Sequence, residues 1–249
     1  RLLKRVSPLP AAPAVTAAIL IIGDEILSGR TQDANLAYMA QWLGELGIEV
    51  AEARVVPDDE RRIADAVNQL RAACDYVLTT GGIGPTHDDI TAESVAAAFG
   101  VPIEENAEAL ARLNTHYVKG EVNESRRRMA RIPRGATLID NPISAAPGFL
   151  IGNVFVLAGI PAINRAMLES LRHHLKGGVP ILSRVVGVSL PEGRLANPLR
   201  AIQARYPDVA IGSYPYYRGK TFGASLVLRS KSERDLQAAL DDVIAMIKD

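Results

Sequence analysis

The chain has 249 residues, enough for one large domain, or a medium one with a small companion, around a sizeable core. Lysine plus arginine and aspartate plus glutamate number 28 each, and that balance argues against a dedicated polyanion or nucleic-acid binder. The one cysteine, Cys74, excludes an intrachain disulfide, and no apolar run is long enough to span a bilayer, so a cytoplasmic protein without a membrane partner is expected.

The first residues, RLLKRVSPLPAAPAV, mix basic residues with proline and alanine and lack a continuous apolar stretch. They read as a flexible leader over residues 1–16, not as a signal peptide. Ala17 to Ile22 is a short unbroken apolar run, the pattern of a buried strand. Gly23, Asp24 and Glu25 follow at once. Asp33 is placed to cap a helix whose stripe is Leu36, Met39, Leu43 and Leu46, with Gly47 as its stop. Ile48 to Val56 is a second strand, and Pro57 with Asp58 opens a helix bearing Ile63, Val67 and Leu70. Cys74 falls near the junction to a third strand, Tyr76 to Thr80, and is expected to be a buried small residue. That strand runs into TTGGIGPTHDDIT, and a helix over about 92–99 ends at Gly100.

Residues 104–131 read as helical and carry Arg126, Arg127, Arg128 and Arg131, followed by Arg134. Such a run is a solvated face or a basic wall toward an anionic ligand. A loop from Asp140 to Gly148 comes next, then a buried strand at 154–157 and a helix over 162–175. The alternation of strands and helices predicts an α/β domain with a mostly parallel sheet over 17–176. Right-handed crossovers then bring the loops after Ile22, Val56 and Thr80 to one sheet edge. After a Lys-Gly-Gly-Val-Pro linker, residues 181–249 read as strand, helix, strand, strand, helix. They make a small α+β module, with a turn expected over Tyr214 to Lys220.

TTGGIGPTHDDIT has neither the dinucleotide fingerprint nor the P-loop ending. Glycines at a strand end let backbone amides approach an anion, and a helix starting near Ile90 would add its free amides. Asp88 and Asp89 would repel that anion unless a divalent cation sat between, which suggests a metal-bound phosphate. A turn followed by an aspartate-capped helix is the alternative, and for Asp89 or Thr91 taken singly it is the simpler reading. Asp24 and Glu25, and Asp58 with Asp59, add acids on the same edge, although Asp58 alone could be a helix cap. Ser144 offers a hydroxyl and neighbouring amides for a phosphate, or is a turn serine.

The strings Gly23-Asp24-Glu25-Ile26-Leu27-Ser28-Gly29, Asp33 with Asn35, Thr80 through Thr91, and Asn141-Pro142 through Pro147-Gly148-Phe149 resemble the molybdopterin-binding (MoCF) domain family. The similar branch is that of the CinA amino-terminal domain and the related domain of FAD synthase. The resemblance covers about residues 17–175, and 181–249 resemble the small module that follows in that branch. It implies a three-layer α/β/α fold and a nucleotide or pterin ligand, molybdopterin among the possibilities. It also implies metal-dependent (Mg, Mn or Co) cleavage of an ADP-ribose- or FAD-like pyrophosphate, and a homo-oligomer. Molybdopterin adenylylation and binding without turnover are the alternatives. The implied catalytic and metal residues are Asp58, Asp88 and Asp89. The implied ligand residues are Gly23, Asp24, Glu25, Asn35, Thr80, Gly81, Gly82, Gly84, Pro85, Thr86, Thr91, Ser144, Ala145, Pro147, Gly148 and Pro161. The chain departs from the family pattern at Gly159-Ile160-Pro161-Ala162, where a Pro-Gly-Pro-Pro run is usual.

Overall fold

The computed structural model describes residues 14–218 and 221–248. Most of the expected leader, residues 1–13, lies outside the described residues. Two compact units divide the chain at Gly178/Val179, with Gly44–Gly47 grouped with the second.

In the first unit the strands are β1 (Val15–Ile22), β2 (Ile48–Val56), β3 (Tyr76–Thr80), β4 (Ile103–Glu105), β5 (Arg131–Pro133), β6 (Thr137–Ile139), β7 (Gly148–Ile151) and β8 (Val154–Leu157). The helices are α1 (Asp24–Leu27), α2 (Asn35–Glu45), α3 (Glu60–Ala73), α4 (Thr91–Phe99), α5 (Ala107–His116), α6 (Glu124–Arg128) and α7 (Pro161–Leu171). Six strands form one sheet in the order β2-β1-β3-β8-β7-β6. The pairs β2–β1, β1–β3 and β3–β8 are parallel, and β8–β7 and β7–β6 are antiparallel.

β1 sits inside that sheet and is apolar on both faces. Ala18, Leu20 and Ile22 join one core cluster with Ile63, Val67 and Leu70 of α3 and Val95 of α4. Ala17, Ile19 and Ile21 point to the opposite face by strand alternation, and Met39 and Leu43 of α2 and Met167 of α7 are buried there. Trp42 Nε1 donates to Glu169 at 2.8 Å, which links α2 to α7. The result is the expected three-layer α/β/α fold with a mostly parallel sheet.

Several local expectations change. β1 begins at Val15, two residues before the expected boundary. The cap of α3 is Asp59, whose carboxylate accepts from Arg62 N at 2.8 Å, so Asp58 does not cap it. Residues 104–131 are not one helical stretch. Pro102 precedes β4 and Pro133 ends β5 in a short antiparallel pair, and α5 and α6 are separate helices between those strands. Cys74 follows α3 as its C-cap and is half-buried.

The second unit contains β9 (Leu182–Val188), α8 (Glu192–Arg205), β10 (Ala210–Arg218), β11 (Thr221–Ser230) and α9 (Glu233–Lys248). Its sheet is antiparallel, in the order β10-β11-β9. Leu195, Leu199 and Ile202 of α8 and Leu236, Ala239 and Val243 of α9 pack with Leu226 and Leu228 of β11. The turn expected over Tyr214 to Lys220 is largely strand. Tyr214, Tyr216 and Tyr217 suit a pleated surface, and Pro215 is tolerated because β10 is an edge.

Candidate functional site

The carboxyl ends of β1 and β3 open onto a cavity of about 680 Å³. Glu25, Asn35, Thr80, Gly81, Gly82, Gly84, Pro85, Asp89, Ser144 and Pro161 line it, so ten of the residues singled out from sequence share one wall system. Tyr117, Arg126 and Met129 complete it.

The loop from Gly81 to Asp89 is wired by its own side chains. Gly81 has φ 109° and Gly82 φ 66°, conformations that favour glycine. A Cβ at Gly81 would meet the Ile22 carbonyl, and one at Gly82 would meet the Thr91 hydroxyl. Thr91 is buried, its hydroxyl donates to Gly81 O at 2.9 Å, and its N–H donates to Gly82 O at 3.0 Å. Thr91 therefore holds the loop and does not face a ligand. The helix amide expected to meet a phosphate at Thr91 is used up in the same way.

Asp89 Oδ2 accepts from Thr86 N at 2.8 Å and from the Thr86 hydroxyl. Its carboxylate lies against Gly84, where a Cβ would sit 2.6 Å from Oδ2. One oxygen of the Asp89 carboxylate, Oδ2, thus braces the turn, and no hydrogen bond to Oδ1 is present among the described residues. Among the described residues, the amides of Gly82, Ile83 and Gly84 have no hydrogen-bond partner. Consecutive open amides beside a cavity make an anion nest.

Asp58 stands next to this loop. Its Oδ1 lies 3.6 Å from where a Cβ of Gly82 would be, and its Oδ2 accepts from Asp24 N at 3.0 Å. Burial raises its pKa above the ordinary carboxylate value. The Asp24 N–H opposes that rise, and the charges of Asp24, Glu25 and Asp88 add to it. Asp88 is exposed beside His87, with its pKa lowered by the Thr86 hydroxyl, its own N–H, His87 and Arg30. The expected three-carboxylate metal site of Asp58, Asp88 and Asp89 is not assembled. Among the described residues no three His, Cys, Asp or Glu side chains gather into a cation cage, because Asp89 is turned to Thr86 and Asp88 to solvent.

Behind the cavity, Asn35 Nδ2 donates to Thr80 Oγ1 at 2.9 Å and to Gly159 O at 2.7 Å. Thr80 Oγ1 donates to Ala158 O at 3.1 Å, and Asn164 Nδ2 donates to the same carbonyl at 3.0 Å. This buried network joins α2, β3 and α7 and fixes Gly159 against Gly81. A Cβ at Gly159 would lie 3.2 Å from Gly81 Cα, so the small residue at the point of departure from the family pattern has a packing reason.

The loop after β6 is folded around Asn141. Its Oδ1 accepts from Ile143 N and Ser144 N, both at 3.1 Å, and its Nδ2 donates to Ser144 Oγ at 2.7 Å and Ala146 O at 2.8 Å. Ala145, at φ 58°, is the one positive-φ non-glycine residue among those described, and its N–H is taken by Asn141 O. The amides of Ile143, Ser144 and Ala145 are therefore spent, and the Ser144 hydroxyl remains as a donor. Gly148 is buried in β7, where a Cβ would meet the Val156 carbonyl, so it too is packing. Pro147 borders a separate small recess with Arg128 and Arg131. Gly23, Asp24, Asp58, Thr86, Asp88 and Ala145 stand outside the cavity lining.

Sequence reading missed Tyr117 as a wall residue and Asn141 as the template of its loop, and it offered the arginine group as a basic wall without singling out Arg126. The arginine run was the signal for Arg126, but its spacing gave no means of telling which member faces inward.

Residues 18–177 match the family model described as "Probable molybdopterin binding domain", and residues 180–249 match "FAD synthase, middle domain". A protein of Archaeoglobus fulgidus is 34% identical over 230 residues, covering 90% of this chain and 97% of that one. A CinA-like protein of Citrifermentans bemidjiense is 41% identical over 158 residues, covering 61% of this chain and 38% of its own length. The crystal structure of CinA from Thermoplasma acidophilum matches with TM-score 0.62 and 33% identity, over 65% of this chain and 98% of that one. Among the described residues no helix is long and apolar enough to cross a membrane. The chain belongs to the molybdopterin-binding domain family, with CinA-like relatives, and its second unit matches the FAD synthase middle domain.

Proposed function

We propose that the chain is a metal-dependent pyrophosphatase acting on an ADP-ribose- or FAD-like nucleotide. The observation that carries this reading is the run of open amides at Gly82, Ile83 and Gly84, flanked by Asp58 and Asp89. Such a nest takes phosphoryl oxygens, and the resemblance to CinA and to FAD synthase supports a nucleotide as their bearer. The reaction is ADP-ribose plus water giving AMP and ribose 5-phosphate. Water oxygen bonds to phosphorus, the bridging P–O bond breaks, and the water proton passes to a base.

The charged groups around Asp58 are the carboxylates of Asp24, Glu25 and Asp88, oxygen ligands that suit a hard divalent cation. Asp58 and Asp88 would hold that cation, which supplies charge neutralisation at the phosphoryl group when bound. The Gly82–Gly84 amides bind and orient the phosphoryl oxygens. Asp89, anchored through Oδ2, presents Oδ1 to orient the attacking water and to accept its proton. Asp58 is held partly out of water, and burial first, then the neighbouring carboxylates, raises its pKa; a bound cation would offset both.

A binding role without turnover is the second reading, favoured by the unassembled three-carboxylate site and the bracing role of Asp89. The purified chain should release AMP from ADP-ribose or FAD with Mg²⁺, Mn²⁺ or Co²⁺, and Asp89→Ala should abolish that release. Recovery of both nucleotides intact with every metal would leave only the binding role.

A further inference from the structure

Two arginines near this site, Arg127 and Arg134, spend the forked edge of the guanidinium, Nε and Nη2, on a carboxylate. Arg127 gives Nε and Nη2 to Glu105 at 2.9 and 2.8 Å. Arg134 gives both to Glu104. Arg126 is different. Its Nη1 donates to Glu121 O at 2.7 Å and approaches Glu121 Oε2 at 3.4 Å, and its Nε and Nη2 have no partner among the described residues.

The guanidinium is also held in place. It stacks 4.1 Å over the ring of Tyr117, which is itself a cavity wall. Contact with the ring restrains the guanidinium and consumes none of its N–H groups, so the Nε/Nη2 edge stays open to a bidentate phosphate contact. The other charged side chains lining the cavity among the described residues are the acids Glu25, Asp33 and Asp89, so Arg126 is its one cation. Next to it, Arg128 Nη2 reaches Asp89 O at 3.4 Å, which ties α6 to the glycine loop.

We propose that Arg126 is the specificity-determining residue of this cavity: its open Nε/Nη2 edge shares the phosphoryl oxygens of an organic pyrophosphate with the Gly82–Gly84 amides. The proposal rests on the nucleotide reading above and deepens it. Tyr117 acts as a positioning residue, because it fixes the guanidinium plane without touching the anion. Glu121 holds the third nitrogen and keeps the fork turned from the bulk ion-pair network of α6.

The test is calorimetric titration of the full chain with ADP-ribose, and separately with adenosine, in EDTA so that hydrolysis does not intervene. Arg126→Ala should weaken ADP-ribose binding by roughly 10- to 100-fold, the range expected for losing charge-assisted hydrogen bonds. Adenosine binding, where measurable, should change less than about twofold, because adenosine carries no phosphate. Arg126→Lys should recover part of the loss, since it restores a point charge but no fork. An unaltered thermal midpoint in Arg126→Lys separates anion recognition from collapse of the α6 wall. Wild-type ADP-ribose affinity in Arg126→Ala, or equal losses for both compounds, would overturn the assignment of Arg126. If the unaltered chain binds neither compound in EDTA and neither binds nor hydrolyses ADP-ribose when Mg²⁺, Mn²⁺ or Co²⁺ is added, the nucleotide reading falls and takes this proposal with it.

Discussion

The loops Gly81–Asp89 and Asn141–Ala146 both wall the cavity and both are organised by a side chain reaching backbone, yet they leave opposite surfaces. In the first, Thr91 and Asp89 brace the ends of the loop and the central amides stay open. In the second, one asparagine absorbs the amides of Ile143, Ser144 and Ala145, through its side chain and its own carbonyl. Glycine makes the difference. Gly81 and Gly82 take left-handed conformations without needing a template, so their neighbours' hydrogen-bonding groups are left for a ligand. Ala145 takes a left-handed conformation only inside a shell of satisfied bonds.

Four substitutions test that contrast. The largest effect is expected for Asn141→Ala, which removes four side-chain hydrogen bonds from a residue 6% exposed. A loss of about 2–4 kcal/mol in a urea titration is predicted. Next comes Gly82→Ala, which must strain a left-handed φ and displace the Thr91 hydroxyl. It should cost about 1–3 kcal/mol and, unlike Asn141→Ala, reduce phosphate affinity out of proportion to stability. Equal effects of both variants on ligand binding would erase the distinction between the loops.

Asp58→Asn has a smaller effect whose sign carries the information. The folded-state pKa of Asp58 is raised, so the native state binds more protons than the unfolded chain as pH rises past the ordinary carboxylate value of 3.8. Stability therefore falls through that window and the deficit persists at neutral pH. The asparagine variant should melt above the wild type at pH 7, and the gap should close below about pH 3.8, where both carboxyls are protonated. A lower melting temperature at pH 7 would contradict the reading of Asp58 as a carboxylate whose charge is disfavoured by burial and by its acidic neighbours. The smallest effect is Ala145→Gly. Relief of the left-handed strain and loss of chain rigidity oppose each other, so a change within about 0.5 kcal/mol is expected.

Periodicity and end signals made the sheet readable. Ala17–Ile22, Ile48–Val56 and Tyr76–Thr80 were visible as apolar runs, and Asp33 could be seen as a cap because it precedes a helical stripe. The convergence of Glu25, Gly82 and Asp89 followed from right-handed crossovers alone. Orientation within the loops was not readable. Thr91 looks like a ligand residue until its hydroxyl is seen on Gly81, and Asp58 looks like a cap until Asp59 is found doing that work. The extension of β10 through Tyr214 to Arg218 depends on its edge position, a property of the sheet and not of the segment. Arg126 could be singled out only by comparing the partners of each arginine in the run.

The most direct measurement is the amide ¹H–¹⁵N spectrum of the labelled chain during titration with ADP-ribose. The amides of Gly82, Ile83 and Gly84 should shift downfield as they donate to phosphoryl oxygens, while those of Ile143, Ser144 and Ala145, already occupied by Asn141, stay in place. Movement of the second set with the first set unmoved would contradict the account.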